Sequence, residues 1–315
     1  MRRSSCTPTG CWPHRPRPSC GGSTRPVGAG PRWTGDPDGS WRRLERFETN
    51  FVDLAGTGGL LGQTAGRTSA AVVAWLDARG EDWKATVQVV AIDPCAAYRT
   101  AVEHALPHAR IVADRFHLIR LANQMVTEVR QRAIRARHGR RGGKHDPVWT
   151  RRMLLLHAGN RLSPRALGRL AAVFTGDDPT GEIGAAWSVK ERLRMLLAAT
   201  DRHTVADRLH RFHETVLAAD LPEAQKLAET IDGWWPETLG FLETRITNAG
   251  TESTNRLIKD AARMAFGFRN LDNQRRRVRF HCTRRSRRTT SAKAVKPPLP
   301  CSCPSPRGSG QPAAA

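Results

Sequence analysis

From residue 41 onward the spacing of apolar positions changes once, and the change divides the chain. Thr49–Leu54 and Leu60–Thr64 are short apolar segments on either side of a Gly-rich stretch, which predicts two strands joined as a hairpin. In 68–78, Ala71, Val72, Trp75 and Leu76 recur at helical spacing. Residues 87–92 (VQVVAI) are almost wholly apolar, the pattern of a strand covered on both faces, and they stop at Asp93-Pro94. A helix over 96–106 follows, then a second buried strand, Arg110–Ala113, stopping at Asp114. Strands alternating with helices predict a sheet with parallel crossovers. Residues 117–242 then show helical periods and no convincing strand, broken at Pro147, Pro164, Pro179 and Pro222. A last helix is predicted over about 250–265, with Thr247 or Asn248 at its start. Its apolar face is Thr254, Leu257, Ile258, Ala261, Ala262 and Ala265.

The two ends lack such a pattern. Residues 1–40 are rich in Pro, Gly, Ser, Arg and Cys, and 291–315 in Pro, Ser, Gly and Ala, so the head is expected to be disordered or foreign to the folded part, and the tail disordered. The expected divisions are a head at 1–40, an α/β part at 41–124, a helical block at 125–245, a helix with a basic extension at 246–290, and a tail from 291.

Charge narrows the function. The 315 residues hold 51 Lys plus Arg against 29 Asp plus Glu, a net +22. The excess is concentrated: 256–296 contains 14 Lys/Arg and two acids, and 130–144 contains seven bases and no acid. By contrast 214–243 is acidic. A polarised, Arg-rich surface points to nucleic acid phosphate. No apolar run reaches the length of a bilayer span and no secretory leader is visible, so a cytoplasmic protein without a membrane partner is expected. Seven Cys in such a compartment are not a disulfide framework, and Cys95 and Cys282 have no metal-ligand spacing.

Candidate chemistry rests on acids. Asp93 and Asp114 close two buried strands, where ligands gather in open α/β sheets. Asp93 before Pro94 also reads as an ordinary helix cap. Glu252 lies in the first turn of the last helix, in line with Asn255, Lys259 and Arg263. That row suits a metal ligand beside a phosphate backbone, and equally a solvated helix face. His117, three residues after Asp114, is either structural or part of the same site.

Together these segments resemble bacterial insertion-sequence transposases of the ISL-three type. The resemblance is carried by Asp93 and Tyr98, by Pro107 and Ala109, and by Val112-Ala-Asp-Arg-Phe-His117. Thr247-Asn-Ala-Gly-Thr-Glu252-Ser-Thr-Asn255-Arg-Leu-Ile-Lys259 and Phe266-Gly-Phe-Arg-Asn270 match that family's final signature. Val52-Asp-Leu54, Gly66-Arg-Thr68 and Asp146-Pro147 also fit, so the likeness spans roughly 41–290.

The resemblance implies an α/β, RNase H-like mixed sheet with a large all-helical insertion and a C-terminal helix. It implies DNA cleavage and strand transfer by two-metal phosphoryl transfer, with Mg²⁺ or Mn²⁺ held by an Asp-Asp-Glu set. Asp93 and Glu252 map to the catalytic metal ligands, with Asp114, His117, Asn255 and Lys259 supporting. Arg263, Arg269, Arg275, Arg276, Arg277 and Arg279 are the expected contacts to double-stranded DNA at transposon ends and target. A homo-oligomer associated with the bacterial nucleoid is implied for the intact protein. The first Asp is expected on a strand upstream of Thr49, but Arg25–Trp33 contains no acid, and Asp36 and Asp38 sit in a turn-like GDPDG. The sheet is therefore expected to be incomplete at its first strand. A truncated copy lacking the zinc-binding and helix-turn-helix segments, weakly active or inactive, is the expectation. The rivals are a non-catalytic DNA-binding protein on the same scaffold, or an RNase H-like nuclease.

Overall fold

The computed structural model describes residues 18–24, 32–35, 41–44, 47–54, 59–140, 142–266, 268 and 270–294, with only the backbone path for the strands before residue 47 and for 284–294. The chain opens with β1 (Pro18–Thr24), β2 (Arg32–Gly35), β3 (Trp41–Leu44), β4 (Glu48–Asp53) and β5 (Leu60–Ala65). Helices α1 (Ser69–Asp77) and α2 (Glu81–Thr86) lead to β6 (Val89–Ile92), α3 (Ala96–Ala105) and β7 (Arg110–Ala113).

A helical block follows: α4 (Arg115–His138), α5 (Pro147–Thr150), α6 (Arg152–Leu156), α7 (Pro164–Gly176), α8 (Glu182–Leu197), α9 (Arg202–Ala219), α10 (Pro222–Gly233) and α11 (Trp235–Thr244). The chain then returns to the sheet with α12 (Ala249–Met264) and α13 (Leu271–Ala294).

Five strands form one sheet in the order β5-β4-β1-β6-β7. β4 is antiparallel to both β1 and β5, whereas β1, β6 and β7 run parallel. This is the mixed RNase H-like order, and its strand directions place the C-terminal ends of β6 and β7 side by side. β2 and β3 form a separate two-stranded ribbon.

The central strand corrects the sequence reading. Residues 1–40 were expected to lie outside the fold and the sheet to lack its first strand, yet β1 fills that place. Its residues, Pro-Ser-Cys-Gly-Gly-Ser-Thr, have weak strand propensity. What puts them in the sheet is pairing at distance: Cys20 is in register with Phe51 on one side and Ile92 on the other. The strand lies upstream of the expected Arg25–Trp33, and it too contains no acid.

β6 is buried at all four positions because helices cover both faces of the sheet. Val90 and Ile92 pack with Phe51, Val72, Leu76, Tyr98 and Val102 on the α1/α3 side. Val89 and Ala91 face the other side, where Val112, Leu118, Ala122 and Phe241 continue without a break into the helical block. The insertion is thus rooted in the sheet. α4 grows directly out of the β7 end, and α11 packs back on β7, where an added Cβ at Gly240 would meet the Ile111 carbonyl at 2.7 Å.

Within the block, Leu118, Ala122, Met125, Val126 and Val129 form one buried stripe of α4, against which α8 and α10 pack. Lys190 on α8 is fully buried and donates to the Leu155 and His157 carbonyls at 2.6 and 2.7 Å, beside the Glu191 carboxylate. α12 lies over β1 and β4, burying Thr251, Thr254, Ile258, Ala261 and Ala262. The approach is close at its start, where a Cβ at Gly250 would meet Leu54 at 2.8 Å. No helix among the described residues is long and apolar enough to cross a membrane.

Candidate functional site

Adjacent parallel strands deliver the two Asp residues. Ile92 is in register with Ala113, so Asp93 and Asp114 leave the sheet next to each other, and the Asp114 N–H donates to the Ile92 carbonyl at 3.0 Å. The capping alternative for Asp93 does not hold, because the residue at the start of α3 is Cys95. Asp114 does sit at the start of α4, but its side chain makes no cap bond there. Its carboxylate is instead fully buried and receives His117 Nδ1 at 2.8 Å.

The same His117 nitrogen lies 3.2 Å from Asp93 Oδ1. One ring atom therefore bridges both carboxylates, and the donor atoms of Asp93, Asp114 and His117 all lie within 4.8 Å of one another. Burial acts to lower the His117 pKa, but the hydrogen bond to Asp114 and the charge of Asp93 outweigh it and hold the ring above its ordinary value.

The far end of the chain reaches this cluster through Asn248, a candidate cap within the signature but not a candidate site residue in the sequence. Asn248 precedes α12 but makes no side-chain cap bond. Its amide donates to Asp93 Oδ1 at 2.9 Å, and its backbone N–H makes a long 3.4 Å contact to Asp114 Oδ1. The residue is 2% exposed, and its Oδ1 has no hydrogen-bond partner among the described residues. An Asn before a helix has a local explanation in its capping propensity, and the signature that contains Asn248 assigned it no contact with Asp93.

Glu252 is not part of the tight group. It is exposed, and its N–H donates to the Asn248 carbonyl at 3.1 Å. It therefore stands one helical turn beyond the residue that grips Asp93. Asn255 is half-buried and faces the sheet, accepting from Asn50 at 2.9 Å. Lys259 is exposed on the outer side of α12 together with Arg256 and Arg263, the last paired with Asp260 at 3.4 Å.

The expected DNA contacts separate into groups. Arg276, Arg277 and Arg279 are exposed on α13. Arg275 points inward, paired with Glu48 at 3.1 Å and with Asp272 at 3.5 Å. Glu48 is 3% exposed; burial pushes its carboxyl above the usual range, and the charge and hydrogen bond of Arg275 only partly offset this. The network continues from Glu48 to Gln63, Asn50 and Asn255, tying α13, β4, β5 and α12 together. Arg269, Asp36 and Asp38 lie outside the described residues. Asp53 is buried at the end of β4.

The donor set fits a divalent cation. Carboxylate and amide oxygens are hard ligands, and a buried, unpartnered amide oxygen beside Asp93 is a ready additional one. β1 holds no carboxylate, which departs from the Asp-Asp-Glu set that the resemblance implies.

No curated protein matches this chain. A solved structure of the Drosophila P element transposase strand transfer complex aligns at 11% identity with a TM-score of 0.39, covering 85% of this chain and 77% of that one. A family model described as transposase, of the ISL-three DDE type, matches residues 38–278. The match covers well over half of the sequence and includes Asp93, Asp114, His117, Asn248 and Glu252, and by it the chain belongs to the ISL-three type family of DDE transposases.

Proposed function

We propose that the chain is the catalytic part of an insertion-sequence transposase, cutting and joining double-stranded DNA with Mg²⁺ or Mn²⁺. The observation that carries this is the grip of Asn248 on Asp93, which anchors the start of α12 at the β6 end and sets Glu252 one turn away. Asp93 and Glu252 are the metal ligands in this reading, with the Asn248 amide oxygen in reach. When bound, divalent ions would stabilise charge on the attacking and leaving oxygens of the transferred phosphoryl group. The chain's own part is to fix these ligands. Asp114 orients His117, and His117 and Asn248 together fix the rotamer of Asp93. Arg256, Lys259 and Arg263 on α12 and Arg276, Arg277 and Arg279 on α13 would hold the phosphate backbone in register, without reading sequence.

Because β1 has no carboxylate, we propose that this chain binds DNA yet cleaves it weakly. The same observation favours a non-catalytic DNA-binding role as the second reading. Titration of Mn²⁺ followed by its electron paramagnetic resonance signal tests the metal site. Asp93→Asn and Glu252→Gln should each weaken binding by about ten-fold or more. Unchanged affinity in both variants would remove the metal reading and leave the DNA-binding one.

A further inference from the structure

The turn between α12 and α13 carries an aromatic group that the fold itself does not use. Phe266 is 98% exposed and stands at φ 51°, in the left-handed region that a bulky side chain adopts only at a cost. A residue held in that conformation with its ring in water gains nothing from packing. Beside it, Phe268, Asn273, Arg276 and Arg277 line an open cleft of about 530 Å³ at the α12/α13 junction. One turn further along α13, Phe280 is 68% exposed on the same helix face as Arg276 and Arg277. Aromatic rings interleaved with guanidinium groups form the surface on which unpaired bases stack.

A row on α12 leads to this tip. Glu252, Arg256, Lys259 and Arg263 are exposed and spaced by four, three and four residues, so they share one side of the helix. Arg256 and Lys259 have no ion-pair partner among the described residues. From Glu252 to Phe266 is fourteen residues, about 21 Å along the helix axis. At 3.4 Å per nucleotide that is roughly six steps of a DNA strand.

We infer that Phe266 is a base-stacking wedge. It inserts beside a nucleotide displaced from the duplex, the displaced base enters the cleft against Phe268 and the Arg276 and Arg277 planes, and the phosphates between wedge and metal ligands follow the α12 row. This inference rests on the DNA reading above and adds to it a second contact point, about six nucleotides from the phosphate that Glu252 faces.

The test uses the full chain and two duplexes, one perfectly paired and one carrying a single unpaired 2-aminopurine. Wild-type protein should prefer the bulged duplex and quench its fluorescence. Phe266→Ala should lose about ten-fold of that preference, in line with the loss of one aromatic–base stack, while keeping its affinity for the paired duplex. Phe266→Trp should retain both preference and quenching. Phe266→Gly, which relieves the left-handed strain, should leave stability equal or raised and still lose the quenching. If Phe266→Ala binds and quenches like wild type, the wedge is wrong and the DNA reading stands. If wild type binds neither duplex, both fall. If Phe266→Ala alters only the oligomeric state in sedimentation, the ring serves a second copy of the chain and the wedge is overturned.

Discussion

Asn248 donates to Asp93 Oδ1 at 2.9 Å across 155 residues of sequence, and this bond joins the two halves of the sheet domain on either side of the helical insertion. Asn248→Ala should therefore act in two ways. It removes a donor from a mostly buried carboxylate, at a cost of about 1–3 kcal/mol in denaturant unfolding. It also frees the start of α12, so Mn²⁺ affinity should fall by about ten-fold or more. Loss of stability with metal affinity intact would show that Glu252 and Asp93 do not share an ion.

Arg275 should behave unlike its two neighbours. It is paired with buried Glu48, whereas Arg276 and Arg277 are exposed. Arg275→Ala leaves a buried carboxylate with the Gln63 amide but without its charged partner, for a destabilisation of about 3 kcal/mol at neutral pH. Arg276→Ala and Arg277→Ala should each leave stability within about 0.5 kcal/mol and weaken DNA binding instead. The pH dependence of Arg275→Ala follows from the sign of the Glu48 shift. Its folded pKa is raised, burial being the larger cause, so the folded state holds the proton better than the unfolded chain. Stability from this group is present below its unfolded pKa and is lost as pH rises through the folded pKa. Removing Arg275 raises that folded pKa further, so the loss should spread to higher pH, and adding Glu48→Gln should abolish it. Urea denaturation at several pH values reads this directly; a pH-independent cost for Arg275→Ala would refute it.

What could and could not be read from the sequence follows the same division between local and distant. β6 was legible because burial on both faces demands an uninterrupted apolar run, Val89-Val-Ala-Ile92, whereas β7 was read as a second such strand although only Val112 and Ala113 of its four residues are buried. α12 was legible from one apolar face, and Asp93 and Asp114 from their place at strand ends, while His117 on α4 was legible only as a neighbour of Asp114 in sequence. β1 was not, because Gly-Gly-Ser-Thr has linker composition and owes its strand state to β4 and β6. Arg275 was read as a DNA contact because an Arg-rich run gives no hint that one member turns inward to a carboxylate 227 residues away.

DNA binding should be strongly salt-dependent. The exposed cations of α12 and α13 form the basic surface. If six to ten phosphates are neutralised, affinity should fall on the order of 10³–10⁵ between 50 and 200 mM salt. Fluorescence anisotropy across that range checks it, and a flat response would mean that the surface does not engage the backbone. Arg277→Ala should lower the slope by about one, for every duplex sequence alike.

The last prediction concerns the carboxylate that β1 lacks. Cys20 is in parallel register with Ile92, so the next residue, Gly21, lies beside Asp93 on the neighbouring strand, about 4.8 Å away across the ladder. In-register neighbours project to the same side of a sheet, so a side chain introduced at Gly21 would emerge beside Asp93. Gly21→Asp should add a third carboxylate to Asp93 and Glu252. Alone, without metal, it places like charges together and should destabilise the fold. With Mn²⁺ the charges are offset, so the variant should bind the ion more tightly than wild type and regain its stability by mass action. Two-metal phosphoryl transfer needs enough ligands to hold both ions, and a carboxylate at position 21 would add one to those that Asp93 and Glu252 would supply. Metal-dependent nicking of a DNA duplex should then rise above that of wild type, and Gly21→Asn, with the same size and no charge, should give none of these effects. If wild type already nicks DNA efficiently and Asp93→Ala abolishes it, a carboxylate elsewhere completes the site, and buried Asp53 at the end of β4 is the one to change next.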